Sequence, residues 1–254
     1  RLFAGYADVN LGYKNFLYLG LTARNDWSST LVNPKDFKNS KNSYFYPGVS
    51  ASLVLSEAMD LSSTPFSYAK VRASYTQVGN EATPYQTATY YGFEIPFVTS
   101  SGTRVNRAGL GNLLGKADLV NELTKELEFG LDLRMFKNRA GLEFSWFKRN
   151  SIDQITRADV PTSSGFSQSV VNAGEIQNKG IELSFNVDIL KSDNGFNWNS
   201  LINFTRIRSL IVDAGEGTAV DDGVAGIARQ IDARPIARDG DAAAVLEVVV
   251  DHLA

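Results

Sequence analysis

Residues 126–135, with the sequence ELEFGLDLRM, alternate one by one between two kinds of side chain. The apolar set consists of Leu127, Phe129, Leu131, Leu133 and Met135. The interleaved set is charged except at Gly130. Because successive side chains of a β-strand lie on opposite faces of the sheet, this spacing predicts a strand with one apolar face. A helix would need apolar residues three and four positions apart.

The same alternation recurs through the first 207 residues, for example in 69–75, 140–146 and 181–189. It predicts eight strands, near residues 2–12, 15–26, 43–56, 66–79, 123–136, 139–150, 179–190 and 195–207. A weaker ninth candidate covers residues 84–95. The fold class predicted from this pattern is therefore all-β.

The connections between these strands alternate in length. Short turns are predicted at 13–14, 57–65, 137–138 and 191–194, and long polar loops at 27–42, 80–122 and 151–178. Loops this long are uncommon in compact soluble domains. Outer-membrane barrels, in contrast, combine short periplasmic turns with long extracellular loops and carry aromatic residues at the strand ends. The alternation of short and long connections therefore favours an antiparallel transmembrane β-barrel located in the outer membrane.

Composition argues against several other classes of protein. The net charge is −3, so nothing indicates a nucleic-acid partner. The chain has no cysteine and one histidine, His252, which leaves no thiolate nucleophile and no usual zinc site. We therefore expect no catalytic residues, no metal and no cofactor. The sequence has no run of about 18 apolar residues, so it does not predict a membrane-spanning helix.

The character of the chain changes near residue 217. From residue 205 to the end there is no Phe, Tyr, Trp or Lys, while Ala and Asp become frequent. We therefore predict two parts, a barrel segment at 1–217 and an atypical tail of unknown structure at 218–254. Within that tail, residues 242–253 could form a short helix or a strand.

Several stretches resemble one family of transporters. They are LTARNDWSSTL (21–31), SYFYPGVSASLVLSE (43–57), YAKVRASYTQVGNE (68–81), ELTKELEFGLDLRMFKNRAGLEFSWFKRNSIDQI (122–155), VPTSSGFSQSVVNAGEIQNKGIELSFNV (160–187) and NFTRIRSLIVDAGEG (203–217). In order and spacing, residues 1–217 resemble the C-terminal barrel portion of SusC/RagA-type TonB-dependent transporters of Bacteroidota.

The resemblance implies a specific setting for the chain. It implies about eight strands of a larger, 22-stranded barrel that is plugged by an N-terminal domain. A SusD-like surface lipoprotein would cover the barrel, and the TonB complex would energise it through an N-terminal region absent from this chain. The implied substrates are oligosaccharides or peptides.

Charged residues on the polar faces of the strands are candidates for lining the barrel lumen. They are Lys70, Arg72, Glu126, Glu128, Asp132, Arg134, Glu143 and Glu182. They could pack against a plug and border a substrate path, or they could pair with one another and only keep the interior polar. Glu126 and Glu128 are two apart on a strand, which is the ordinary barrel pattern rather than a catalytic carboxylate couple.

Aromatic residues of the long loops are candidates for binding a ligand. Flat rings beside polar side chains suit sugar recognition, and they could equally pack the loops together. The candidates are Trp27, Tyr85, Tyr90, Tyr91 and Phe93.

Three other architectures and functions remain open at this point. Eight strands could close into a small structural or adhesion barrel in the outer membrane. The apolar faces could instead be buried in a soluble β-sandwich that binds carbohydrate. A membrane-embedded barrel enzyme is disfavoured, because it needs a nucleophile with a base. Pairing between residues 2–12 and 195–207 would indicate the closed barrel.

Overall fold

The computed structural model describes residues 1–191 and 197–213, and the backbone of 242–251. In chain order its strands are β1 (Leu2–Tyr13), β2 (Leu17–Ser28), β3 (Ser43–Val54), β4 (Phe66–Asn80), β5 (Tyr91–Val98), β6 (Arg104–Leu110), β7 (Leu113–Leu114), β8 (Glu122–Met135), β9 (Ala140–Ile152), β10 (Ile155–Asp159), β11 (Gln168–Asn172), β12 (Glu175–Leu190), β13 (Asn197–Asp213) and β14 (Ala242–Asp251). One short α-helix, α1, covers Leu55–Ala58, and single 3₁₀ turns cover Ser29–Leu31 and Thr162–Ser164.

Nine of these strands form one antiparallel sheet, in the order β1-β2-β3-β4-β8-β9-β12-β13-β14. The eight predicted strands are all present in it, so the antiparallel all-β prediction is confirmed. Two extend four residues or more beyond their predicted bounds: β12 begins at Glu175 rather than 179, and β13 continues to Asp213 rather than 207. Both extensions pair with each other beyond the apolar stretch on which the prediction depended.

The ninth candidate, residues 84–95, is not a strand of the main sheet. Only its last part is extended, in β5, which pairs with β6 in a separate hairpin. A third small sheet joins β10, β11 and β7. The β5–β6 hairpin overlaps the weak ninth candidate, whereas the third sheet lies in connections predicted only as loops. Short strands without a sustained apolar face leave little trace in the sequence.

The register aligns the apolar residues of successive strands on one face of the sheet. One such row consists of Leu53, Val71, Leu131, Phe144, Leu183 and Phe204. This face is uncovered within the described residues: Phe129 is 47% exposed and Leu21 is 41% exposed. A β-sandwich would bury these side chains against a second sheet. The soluble-sandwich alternative therefore fails.

The sheet is open within the described residues. β1 pairs only with β2 and does not pair with β13. The small closed barrel of eight strands is therefore not formed. An unclosed sheet of this kind is expected for a segment of a larger barrel.

The predicted alternation of short and long connections is confirmed where the structure describes it. The short connections are 14–16, 55–65 and 136–139, and the long ones are 29–42, 81–121 and 153–174. The short turn predicted at 191–194 lies, after its first residue, outside the described residues. In the described part of the chain, no helix has the length and apolar character needed to cross a membrane.

Most of the predicted tail, 218–254, lies outside the described residues. The exception is β14, whose backbone pairs with β13. The division of the chain at residue 217 stays a prediction.

The small apolar core lies among the long loops. Leu31, Leu119 and Val170 are each only 1% exposed and are packed with Ala82. Tyr44, Leu113 and Ile155 pack around them. We call these seven residues the loop core. Its members come from all three long connections and an adjoining strand, so the three long connections pack against one another.

Candidate functional site

The second face of the sheet is polar and contains the eight candidate lumen residues. The register sets Lys70 opposite Asp132, and Asp132 opposite Glu143. It also sets Arg72 opposite Gly130, Gly130 opposite Ser145, and Ser145 opposite Glu182. Strand alternation then puts Glu126, Glu128 and Arg134 on this same face. We call it the polar face; that it borders a lumen stays a prediction.

Arg72 is the centre of the charge network on the polar face. Its Nη2 donates a hydrogen bond to Ser145 Oγ at 2.6 Å and lies 3.5 Å from Glu128 Oε1. Its Nη1 lies 3.5 Å from Asp132 Oδ1. A Cβ atom at Gly130 would come within 2.1 Å of Arg72 Nε. Gly130 therefore leaves the space that the guanidinium occupies between β4 and β9.

Only part of the charge on the polar face is paired. Near the long loops, Arg149 Nε donates to Glu126 Oε2 at 2.9 Å. Over residues 1–191 and 197–213, Lys70, Arg134, Glu143 and Glu182 form no ion pair. Mutual salt-bridging therefore accounts for only half of the predicted lumen residues.

Two open concavities lie on the polar face. One, of about 740 Å³, is lined by residues that include Asn10, Tyr18, Lys70, Arg72 and Glu128. The other, of about 890 Å³, includes Asp132, Arg134, Glu143 and Asn186 in its lining. Six of the eight candidate lumen residues therefore border space large enough for a solute or another segment of protein.

Four of the aromatic candidates lie in the β5–β6 hairpin or in the segment just before it. Tyr91 and Phe93 lie on the same face of β5, and Phe93 is 95% exposed. On the opposite face, Glu94 and Arg107 form an ion pair at 2.7 Å. The rings of Tyr85 and Tyr90 meet edge to face, with 5.4 Å between their centroids. Four of the five aromatic candidates therefore lie together in and beside this hairpin.

The base of the hairpin is held to the neighbouring loop segments. Thr87 Oγ1 donates to the carbonyl oxygen of Val32 at 2.9 Å, and the N–H of Lys116 donates to the carbonyl oxygen of Gln86 at 2.9 Å. The N–H of Gly115 donates to Thr89 Oγ1 at 3.1 Å. The exposed rings thus project from an anchored base.

Trp27 lies elsewhere. It was predicted as the first residue of a long loop, but it lies within β2, on the apolar face of the sheet. Its ring packs against Phe3, with 5.4 Å between the ring centroids. The structure does not bring it together with Tyr85, Tyr90, Tyr91 and Phe93.

Sequence reasoning missed the polar contacts that attach the loops to the sheet. Asn121 Nδ2 donates to the Tyr46 hydroxyl at 2.7 Å, and Thr30 Oγ1 donates to Glu81 at 3.3 Å. Ser28 also donates to Glu81. Each pair joins residues more than 50 positions apart, so no local sequence pattern predicts it. Within the described ranges, no group of three potential ligands is arranged for a metal ion.

An antiparallel sheet with one uncovered apolar face, one polar face and long loops at one end is part of an outer-membrane β-barrel. Residues 1–234 match the family described as "TonB dependent receptor-like, beta-barrel". The chain belongs to that family, and its place is the outer membrane. The predicted resemblance to TonB-dependent transporters is thereby confirmed.

Relatives and solved structures agree with this assignment. TonB-dependent receptors P26 and P3 of Formosa agariphila are 29% and 30% identical to the chain over 222 and 218 residues. Each alignment covers 85% of this chain and 21% of the relative, so the chain spans about a fifth of their length.

Two solved structures show the same fold. The RagAB peptide importer in its closed-closed state superposes with a TM-score of 0.72 at 21% identity, over 85% of this chain and 23% of that one. The outer membrane transporter YddB from Escherichia coli gives 0.56 at 17% identity, over 83% of this chain and 24% of that one.

Proposed function

We propose that this chain forms part of the wall and the extracellular loops of a TonB-dependent importer for oligosaccharides or peptides. The family is that of TonB-dependent receptors, and the similar RagAB is a peptide importer. The observation that carries the proposal is the sheet itself, which has an uncovered apolar face for lipid and an incompletely paired polar face for the interior. The proposal is transport rather than catalysis.

The polar face supports a role in bordering a substrate path. Lys70, Arg134, Glu143 and Glu182 have no partner in ion pairs among the described residues, and so their charges are available to a plug or a solute. Both signs of charge are present. Such a wall suits polar substrates with mixed hydrogen-bonding groups better than it suits a single class of ion.

The β5–β6 hairpin supports ligand capture on the extracellular side. Tyr91 and Phe93 offer exposed rings, and a flat ring can stack on the apolar face of a sugar or pack against an apolar peptide side chain. Their exposure means that they are not needed for packing within the described residues. In the proposal the same loops meet a SusD-like surface lipoprotein, and the TonB complex supplies the energy.

The test is uptake by cells that lack the gene and are complemented with the intact protein. Fluorescent oligosaccharide and peptide libraries serve as probes, and accumulation is compared with that in cells lacking TonB. We expect the double variant Y91A/F93A to reduce uptake of one library severalfold at an unchanged surface level of protein.

Phe136→Ala is the matched control, because Phe136 is an exposed aromatic residue at the short-turn end. It should leave uptake unchanged. Uptake that persists without TonB, or that falls equally in the control, would contradict the proposal. Co-purification with a surface lipoprotein, lost when residues 91–110 are replaced by a Gly/Ser linker, tests the proposed partner separately.

A further inference from the structure

The apolar face of the sheet also carries charge, and most of it is positive. In the described strands its charged residues are five cations, Lys125, Lys148, Lys179, Arg206 and Arg208, and two acids, Glu175 and its register partner Asp213. The polar face, in contrast, mixes both signs. A charge on a lipid-facing position of a barrel is costly at mid-depth and is tolerated near the interface. We therefore expect the five cations to lie near the membrane interface rather than at mid-depth.

Three of the cations form a continuous row across neighbouring strands. Lys148 of β9 lies opposite Lys179 of β12, and Lys179 lies opposite Arg208 of β13. We call these three residues the basic row. Because paired strands are about 5 Å apart, the three side chains start within roughly 10 Å of one another. Lys179 and Arg208 are exposed, and Lys148 is half-buried.

The row lies toward the long-loop end of the apolar face. On its short-turn side the neighbouring positions are Trp146, Ile181 and Arg206, and on its long-loop side they are Asn150, Gln177 and Leu210. Extracellular loops are the long ones in such barrels. The row therefore lies at the level where the outer leaflet changes from acyl chains to headgroups.

No carboxylate of the described residues neutralises the row. None of its three residues has an ion pair or a hydrogen bond from its side chain within 1–191 and 197–213. Glu175 is four residues from Lys179 along β12, or roughly 13 Å, and it accepts a hydrogen bond from Asn150. Three like charges side by side repel one another, so an anion bound between them would be stabilising.

We propose that the basic row binds the phosphate of an outer-leaflet lipid, such as the phosphorylated lipid anchor of lipopolysaccharide. Arg208 offers a planar fork of donors that suits two phosphate oxygens, and Lys148 and Lys179 add point charges beside it. Trp146, Ile181 and Phe204 lie below the row and provide an apolar surface for the acyl chains. Arg206, one pair nearer the acyl region, can extend toward the same headgroup.

The test uses the intact protein purified from outer membranes in detergent and titrated with monophosphoryl lipid A, followed by native mass spectrometry. The test variant is K148Q/K179Q/R208Q. The matched control is K14Q/K137Q/K191Q, which removes the same charge from exposed lysines at the short-turn end. Since each cation near a membrane surface contributes about fivefold in affinity, we expect the test variant to bind about a hundredfold more weakly. The control should bind like the wild type.

Two further probes identify what is bound. Dephosphorylated lipid A should bind the wild type and the test variant equally and weakly. Inorganic phosphate at millimolar concentration should not displace the lipid. Equal lipid binding by wild type and test variant would overturn the proposal. So would an equal loss in the control, or displacement by inorganic phosphate, which would assign the row to a free anion.

Discussion

The side-chain amide of Asn121 donates a hydrogen bond to the hydroxyl of Tyr46 at 2.7 Å, across 75 residues of sequence. Both side chains are buried. Asn121 immediately precedes β8, and Tyr46 lies in β3, so the bond fastens the end of the longest described loop to a strand two places away in the sheet. Gly79 of β4, between them, lacks the side chain that would fill this space.

Gly79→Ala is expected to break this attachment. A Cβ atom at Gly79 would lie 2.0 Å from Tyr46 Oη and 2.4 Å from Asn121 Nδ2, so one of them must move. A buried polar group without its partner costs about 1–3 kcal/mol. Limited proteolysis should therefore cut within residues 81–121 faster in this variant. Gly92→Ala is the control, because nothing lies within 4 Å of its added Cβ; an equal rate in both variants would refute the attachment.

Leu131→Arg tests which face of the sheet meets lipid. Leu131 lies in the middle of the apolar row, and an arginine on the lipid face at mid-depth costs about 2–4 kcal/mol. The free energy of unfolding from phospholipid vesicles should fall by that amount. Ser184→Arg is the control on the polar face, opposite Glu143. If Ser184→Arg proved the more costly of the two, the faces would be reversed.

Gly130→Ala should be destabilising only while Arg72 is present. The added Cβ would push the Arg72 side chain from its hydrogen bond to Ser145, at a cost of roughly 1 kcal/mol. A double-mutant cycle with Arg72→Ala measures the coupling through free energies of unfolding. Additive effects would show that Gly130 does not act by leaving space for the Arg72 side chain.

Leu119→Ala should loosen all three long loops together. Leu119 is fully buried in the loop core, and truncating such a leucine costs about 2–5 kcal/mol. Hydrogen exchange should rise at 29–31, 111–121 and 168–172, while β8 and β9 keep their protection. Leu110→Ala is the control, because Leu110 is 44% exposed in the hairpin. Faster exchange confined to 111–121 would mean that the loops are independent.

The strands of the main sheet could be predicted because each carries its own evidence. In Leu127–Met135, period-two alternation is enough to define a strand and its faces, since lipid demands an apolar residue at every second position. The loop core gave no such signal. Leu31, Leu119 and Val170 are single apolar residues in polar segments, and their burial depends on three distant loops meeting.

The wrong placement of Trp27 has the same cause. Trp27 was assigned to a loop because polar residues follow it, whereas pairing between β2 and β3 continues as far as Trp27. The basic row cannot be predicted from the sequence, because each of its cations belongs to a different strand. Lys148, Lys179 and Arg208 become neighbours only when the register is known. Charges on one strand are visible in a sequence, and charges across strands are not.

The shared loop core has a consequence for exchanging specificity between related receptors. Because Leu31, Leu119 and Val170 pack against one another, grafting residues 81–121 alone from another receptor would replace three of the seven loop-core residues and leave the other four unchanged. A transplant that preserves packing must carry 29–42, 81–121 and 153–174 as a unit. Recombination within this gene should therefore succeed at the short turns and fail between the loops.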